Sequence, residues 1–86
     1  MFYVYVLKSK KDNSIYIGCT NDLKRRFEEH NSGLSKATKN KTPFALVYYE
    51  SYLSFSDARK REARLKKFKN SYTELRKRIS DSLSRA

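Results

Sequence analysis

The chain reads as a small α+β protein: a three-stranded antiparallel sheet flanked by helices, in the order β-β-α-β-α-α. Three observations predict it. Two apolar runs, 2–8 and 14–20, are rich in β-branched and aromatic residues and are separated by the turn cluster Lys10-Lys11-Asp12-Asn13. A third such run, 44–52, opens after Pro43. The segments between and beyond carry apolar residues three and four apart, the spacing of a helix with one buried face.

The first run is apolar on both alternating faces, so it is expected as the central strand, covered on both sides. The second has Ile15-Tyr16-Ile17-Gly18 at its heart and should pair with it as a hairpin. Thr20 or Asn21 then caps a helix, with Asp22 in its first turn, and Asn31-Ser32-Gly33 stops it after His30. Residues 34–42 hold three lysines and little apolar content, which predicts a mobile basic loop. After the third strand, Ser54 and Asp57 mark the start of a helix running to Lys69, with Phe55, Ala58, Leu65 and Phe68 as its apolar stripe. Ser71 and Glu74 repeat that start, and Tyr72, Leu75, Ile79 and Leu83 give a last helix over 71–84. No internal repeat or linker divides the 86 residues, so one domain is expected, with its core in 2–69.

Charge bounds the partners. Twenty Lys and Arg stand against nine Asp and Glu, and ten of the twenty lie in 59–78 beside only Glu62 and Glu74. So one-signed a face points to phosphate backbones, which composition does not divide between DNA and RNA. DNA is expected ahead of RNA. No apolar run approaches the roughly 20 residues of a spanning helix, and the N-terminus lacks the basic flank of a signal peptide. A single cysteine, Cys19, forms neither an internal disulfide nor a zinc site. These features favour the cytoplasm. One His and two Gly exclude most Ser/His/Asp arrangements and phosphate-binding glycine loops.

Against this background Glu62 is anomalous. At about 100° per residue it falls between Phe55 and Ala58, inside the apolar stripe. A buried charge needs a partner, either a salt bridge to Arg26 or Arg61 or a divalent cation held beside phosphate. The first helix is odd in the same way. Leu23 and Phe27 must face the sheet, which leaves Arg26 and His30 flanking the stripe one turn apart. They suit phosphate contact and proton transfer; equally, Arg26 can reach solvent and His30 can cap the helix end. Tyr5 and Tyr16 sit mid-strand in the two hairpin partners, as core tyrosines or as two hydroxyls of one site. Gly18 weakens its strand, which marks a bulge or a close backbone approach to ligand.

The spacing Tyr3-Val4-Tyr5, Tyr16-Ile17-Gly18, Arg26, Glu62 resembles the GIY-YIG nuclease superfamily, most of all its small stand-alone bacterial branch. It is also similar in plan to the N-terminal cleavage domain of the nuclease component of excinuclease ABC. The resemblance covers residues 2 to about 69. It departs from the pattern in three places. Tyr3 and Val4 replace the glycine and isoleucine of the first tripeptide. Cys19 stands where cleavage-domain relatives often carry lysine. Asn70 is the candidate for the family's distal asparagine.

The resemblance implies a Mg²⁺- or Mn²⁺-dependent endonuclease hydrolysing phosphodiesters, in DNA repair or processing, with Glu62 as metal ligand and Tyr5, Tyr16, Arg26 and His30 as its catalytic partners. Nucleic acid is expected at Gly18, Lys24, Arg25, Lys36, Lys39, Arg59, Arg61, Lys66 and Lys67. The five catalytic residues are expected on one concave face, and Arg26 and Glu62 on opposite sides of the sheet would break that site apart. The alternatives are a non-catalytic nucleic-acid-binding module on the same scaffold and a small ribosome-associated basic protein.

Overall fold

The computed structural model describes residues 1–86. β1 (Phe2–Ser9) and β2 (Ile15–Thr20) form the hairpin, with Tyr5 opposite Gly18 and Leu7 opposite Tyr16. The turn is closed by Ser9, whose hydroxyl accepts from the backbone of Lys11 at 3.1 Å, and by Asn13 at φ 65°, a left-handed position that asparagine tolerates. β3 (Phe44–Tyr52) pairs antiparallel with the other side of β1, so the order is β2-β1-β3. β1 is central as expected, and Val4 to Leu7 are all buried.

α1 (Leu23–Asn31) is capped by Asp22, whose carboxylate accepts from the Arg25 backbone at 3.1 Å. Thr20 and Asn21 are therefore not the cap. The Thr20 hydroxyl instead accepts from the Asp22 backbone, just ahead of the helix. The expected mobile loop is also corrected. Ser35 and Thr38 are buried, and Lys39–Lys41 form a short 3-10 turn. The segment is tied at both ends. The Asn31 amide clamps the backbone of Phe44, and the Ser9 hydroxyl donates to the Lys41 carbonyl at 2.6 Å.

α2 (Phe55–Lys67) is capped by Ser54, which accepts from the Asp57 backbone. It stops at extended Phe68, short of the predicted Lys69. α3 (Lys69–Arg78) then begins at once, which leaves Ser71 inside the helix rather than capping it. The predicted helix over 71–84 breaks at Ile79, and α4 (Ser80–Arg85) follows. The break lets Leu75 and Ile79 pack on the core while the Leu83 carbonyl accepts from Lys8 Nζ at 2.8 Å. Phe55 and Phe68, the ends of the predicted stripe, are exposed, while its middle residues Ala58 and Leu65 are buried.

The two faces of the sheet are covered by different helices. Val4 and Val6 point toward Ala58, Leu65 and Leu75 of α2 and α3. Tyr5 and Leu7 point the other way, with Phe44, against Leu23 and Phe27 of α1. On the first of these faces Glu50 of β3 gathers three donors. The Tyr48 and Tyr52 hydroxyls and the Arg61 guanidinium all reach its carboxylate, Arg61 Nε at 2.9 Å and Nη2 at 3.0 Å. Arg61 is thus committed to the interior of the fold rather than to phosphate, and it is not the partner of Glu62.

Candidate active site

Tyr5, Tyr16, Arg26 and His30 gather on the α1 face. The register sets Tyr5 opposite Gly18, and a Cβ at residue 18 would lie 2.3 Å from the Tyr5 hydroxyl. Gly18 is therefore glycine because the Tyr5 ring lies across it. The hairpin has no bulge there. The ring carries its hydroxyl over β2, the outer strand, toward the edge of the sheet. Tyr16, two residues earlier on the same face, places its ring 4.8 Å from that of His30 and 6.3 Å from that of Tyr5.

His30 is fully buried and held on both nitrogens: Nε2 lies 2.9 Å from the Tyr5 hydroxyl and Nδ1 2.7 Å from the Thr38 hydroxyl. Burial, with Arg26 nearby, lowers its pKa, so it is neutral at pH 7. Arg26 lies beside the Tyr5 phenol and has no lone pair to offer. With that donor beside the phenol oxygen, the tautomer that satisfies every group has the phenol donate to Nε2 and His30 Nδ1–H donate to Thr38. Burial, reinforced by Tyr16, pushes the Tyr5 phenol up to about 12 despite Arg26. Tyr5 thus holds its proton at neutral pH, as a positioned donor rather than a base. Arg26 also pairs with Glu29 at 3.0 Å, both side chains about a third exposed. Burial opposes its charge, but the bond to Glu29 and the nearby Tyr5 phenol outweigh that and raise its pKa further.

Glu62 comes from the other side. α2 packs on the face opposite α1, so Arg26 and Glu62 come from opposite sides of the sheet, the expected single concave face is not formed, and the five-residue site expected from the sequence is broken apart. The short edge strand β2 is flanked by both helices, and the groups approach one another around its edge instead. Glu62 is nearly buried, and its two oxygens take Lys66 Nζ at 3.0 Å and Arg59 Nη1 at 3.3 Å, one turn away on either side. Neither Arg26 nor Arg61 is its partner. One contact connects it to the other four around the edge of β2: Lys66 Nζ, bonded to Glu62, lies 5.8 Å from the centre of the Tyr16 ring. Burial raises the pKa of both Tyr5 and Cys19, and the Glu62 charge adds to each. At that edge a groove of ≈ 600 Å³ is lined from both sides of the sheet, by Phe2, Cys19 and Phe55 and by Asn21, Arg26 and Glu29.

No cluster of three or more His, Cys, Asp or Glu is present, and Glu62 is the buried carboxylate here that could hold a cation. That suits a hard ion that keeps several waters and shares phosphate oxygens. The Arg59 and Lys66 side chains are 61% and 48% exposed, so both are free to swing from Glu62 to a phosphate. Lys24, Arg25, Lys36 and Lys39 are exposed. Asn70 is exposed in the first turn of α3 and makes no side-chain hydrogen bond. Two contributors were not predicted. Thr38 sits in a loop with no periodicity to mark it. Glu29, a helical carboxylate three residues after Arg26, carried a spacing signal that was legible.

Residues 1–80 match the family model described as the GIY-YIG catalytic domain. A UPF0213 protein of Clostridium perfringens is 44% identical over 68 residues, which are 78% of this chain and 72% of the relative. One from Listeria welshimeri is 42% identical over 83 residues, 93% of this chain and 91% of the relative. The solution NMR structure of a UPF0213 protein from Bacillus halodurans has a TM-score of 0.54 at 36% identity, covering 87% of this chain and 81% of that one. Sheet order, motif tyrosines and family match agree: the chain belongs to the GIY-YIG family, in the company of the small UPF0213 proteins.

Proposed function

We propose that the protein is a divalent-metal-dependent endonuclease that hydrolyses phosphodiester bonds at the edge of β2. The observation that carries this is Arg26, about a third exposed, beside a buried phenol–imidazole–hydroxyl chain, with the buried Glu62 carboxylate on the helix across the sheet. Arg26 offers a planar fork to the phosphate and stabilises the charge that builds on it during attack. Tyr5, its proton held by His30, turns its phenol oxygen toward Arg26 and can accept from a water there. Tyr16, partly exposed beside them, positions the attacking water. A water oxygen bonds to phosphorus and gives up a proton, the P–O bond to one sugar breaks, and the departing sugar oxygen takes up a proton from solvent to leave as an alcohol. Glu62 is the residue that would hold the cation, which when bound supplies Lewis-acid stabilisation of phosphate oxygens. A cytoplasmic setting and a role in DNA repair or processing belong to this same reading.

The charge distribution supports a nucleic-acid substrate. Lys60, Arg64, Lys67, Lys69, Arg76 and Arg78 pair with no carboxylate. Lys66, Lys67 and Lys69 line a groove of ≈ 380 Å³ with Ile15, Ile17 and Tyr72. Four phosphate contacts along that track would make duplex affinity fall roughly a hundredfold between about 50 and 200 mM salt. Titration of a fluorescent duplex at several salt concentrations measures it, and a flat response would remove phosphate from these helices.

The test of activity is cleavage of plasmid and of labelled oligonucleotides with Mg²⁺, with Mn²⁺ and with EDTA. Cleavage with either ion that stops in EDTA is expected. Tight binding with no cleavage under any ion would leave the non-catalytic binding module, which the same basic faces would support.

A further inference from the structure

Tyr3 stands where the family's first tripeptide carries glycine, and its ring is not used by the site described above. The α1 face explains why it is available. A nine-residue helix covers only the end of the sheet around Leu7, Phe44 and Leu46. At the other end the Tyr3 ring meets that of Tyr49 edge-on, centroids 5.9 Å apart, and Tyr49 is 53% exposed. Together with Phe27, Leu46, Asn21 and Lys24 they line a mostly apolar depression of ≈ 520 Å³.

We propose that this depression is a nucleobase site, in which a base of an unpaired substrate strand stacks on Tyr49 and Tyr3. The proposal rests on the nuclease reading for the origin of the strand. Three features select this occupant. The depression adjoins the groove at the β2 edge, with Asn21 between them lining both. A nucleotide flanking the phosphate at Arg26 therefore has its base within reach of the tyrosines. The floor is aromatic, and aromatic rings stack on every base without reading its sequence. The rim is polar, with Lys24 for the backbone, the Asn21 amide for a base edge, and Asp22, whose carboxylate is turned to the Arg25 backbone N–H as the cap of α1. A base inside a duplex is already stacked, so the site takes a single strand, a frayed end or a bulge.

The experiment compares affinity for a dT12 strand with affinity for a 12-mer of abasic spacers carrying the same phosphates, at one salt concentration and in EDTA so that nothing is cut. The wild-type protein is expected to prefer dT12 by tenfold or more. Tyr49→Ala should bring that ratio toward one and leave abasic affinity unchanged. Tyr49→Phe, which keeps the ring, should preserve the ratio. Tyr49 is exposed, so these variants are expected to fold, and a melting curve checks it. A wild-type ratio near one, or a ratio that Tyr49→Ala leaves intact, overturns the proposal. Cleavage with Mg²⁺ is read separately on the same preparations. A protein that prefers bases through Tyr49 and never cuts would retire the nuclease reading and uphold the base site.

Discussion

Gly18→Ala is expected to cost about 1–3 kcal/mol of stability and to remove cleavage in the same step. A methyl at this position would lie 2.3 Å from the Tyr5 hydroxyl and 2.4 Å from its ring carbon Cζ, far inside contact distance. Neither side can yield easily. Residue 18 is fixed by the β1–β2 ladder, and the Tyr5 hydroxyl is held by His30 inside a buried chain. The ring must leave its place, so the Tyr5–His30 bond breaks and the core on the α1 face is overpacked. For a domain of this size the melting temperature should fall by roughly 5–20 °C. Thermal unfolding and oligonucleotide cleavage on the same sample measure both effects. A variant that melts like wild type would mean that the ring does not lie over Gly18.

The second large effect is on the opposite face. Glu50→Gln is expected to destabilise the fold by about 3 kcal/mol, a substantial share of a small domain's total. The carboxylate serves Tyr48, Tyr52 and Arg61 together, and its side chain is 15% exposed. An amide loses the charge facing Arg61 and turns an N–H₂ toward a donor. Burial by itself would raise the Glu50 carboxyl, but the Arg61 fork and the two hydroxyls outweigh it and hold it below the usual carboxylate range. A pKa lowered by folding contributes stability above the unfolded-state value, and this is lost as pH falls through the folded-state value. Wild type should therefore weaken on the acid side of pH 4.5, and Glu50→Gln should show less of that slope. Urea unfolding at pH 7 and at two or three acid pH values reads both. An unchanged midpoint at pH 7 would contradict the role given to Glu50.

Much of this is legible in the residues alone. Uninterrupted apolar alternation in 2–8 marks a strand covered on both faces, and only the middle of three strands is so covered. Glu62 is visible because a carboxylate inside a helical stripe breaks the pattern, and Arg26 and His30 because they flank one. The side of the sheet is not legible. Amphipathic spacing shows that α1 and α2 each bury a face, but says nothing about which face of the sheet receives it. That is why the single concavity expected from the sequence is not what the fold forms. Glu50 escapes notice because strand alternation alone does not separate an inward carboxylate from its exposed neighbour Tyr49. Thr38 escapes notice because its burial depends on contacts made across the sequence by Asn31 and Ser9. The break at Ile79 is silent too, since Leu75, Ile79 and Leu83 keep the same spacing whether or not the helix is continuous.

The central claim is that Glu62, reaching round β2, completes a metal-dependent site with Arg26. Its most direct measurement is Mg²⁺-dependent cleavage by Glu62→Gln under single-turnover conditions, with thermal unfolding of the same preparation. Glutamine keeps the shape and removes the charge that would hold the ion. The partners left behind, Arg59 and Lys66, are half-exposed or more and can turn to water, so the stability loss should be about 1 kcal/mol or less. Cleavage should fall by at least about a hundredfold while nucleic-acid affinity stays close to wild type. A folded Glu62→Gln protein that cuts at the wild-type rate would contradict the claim.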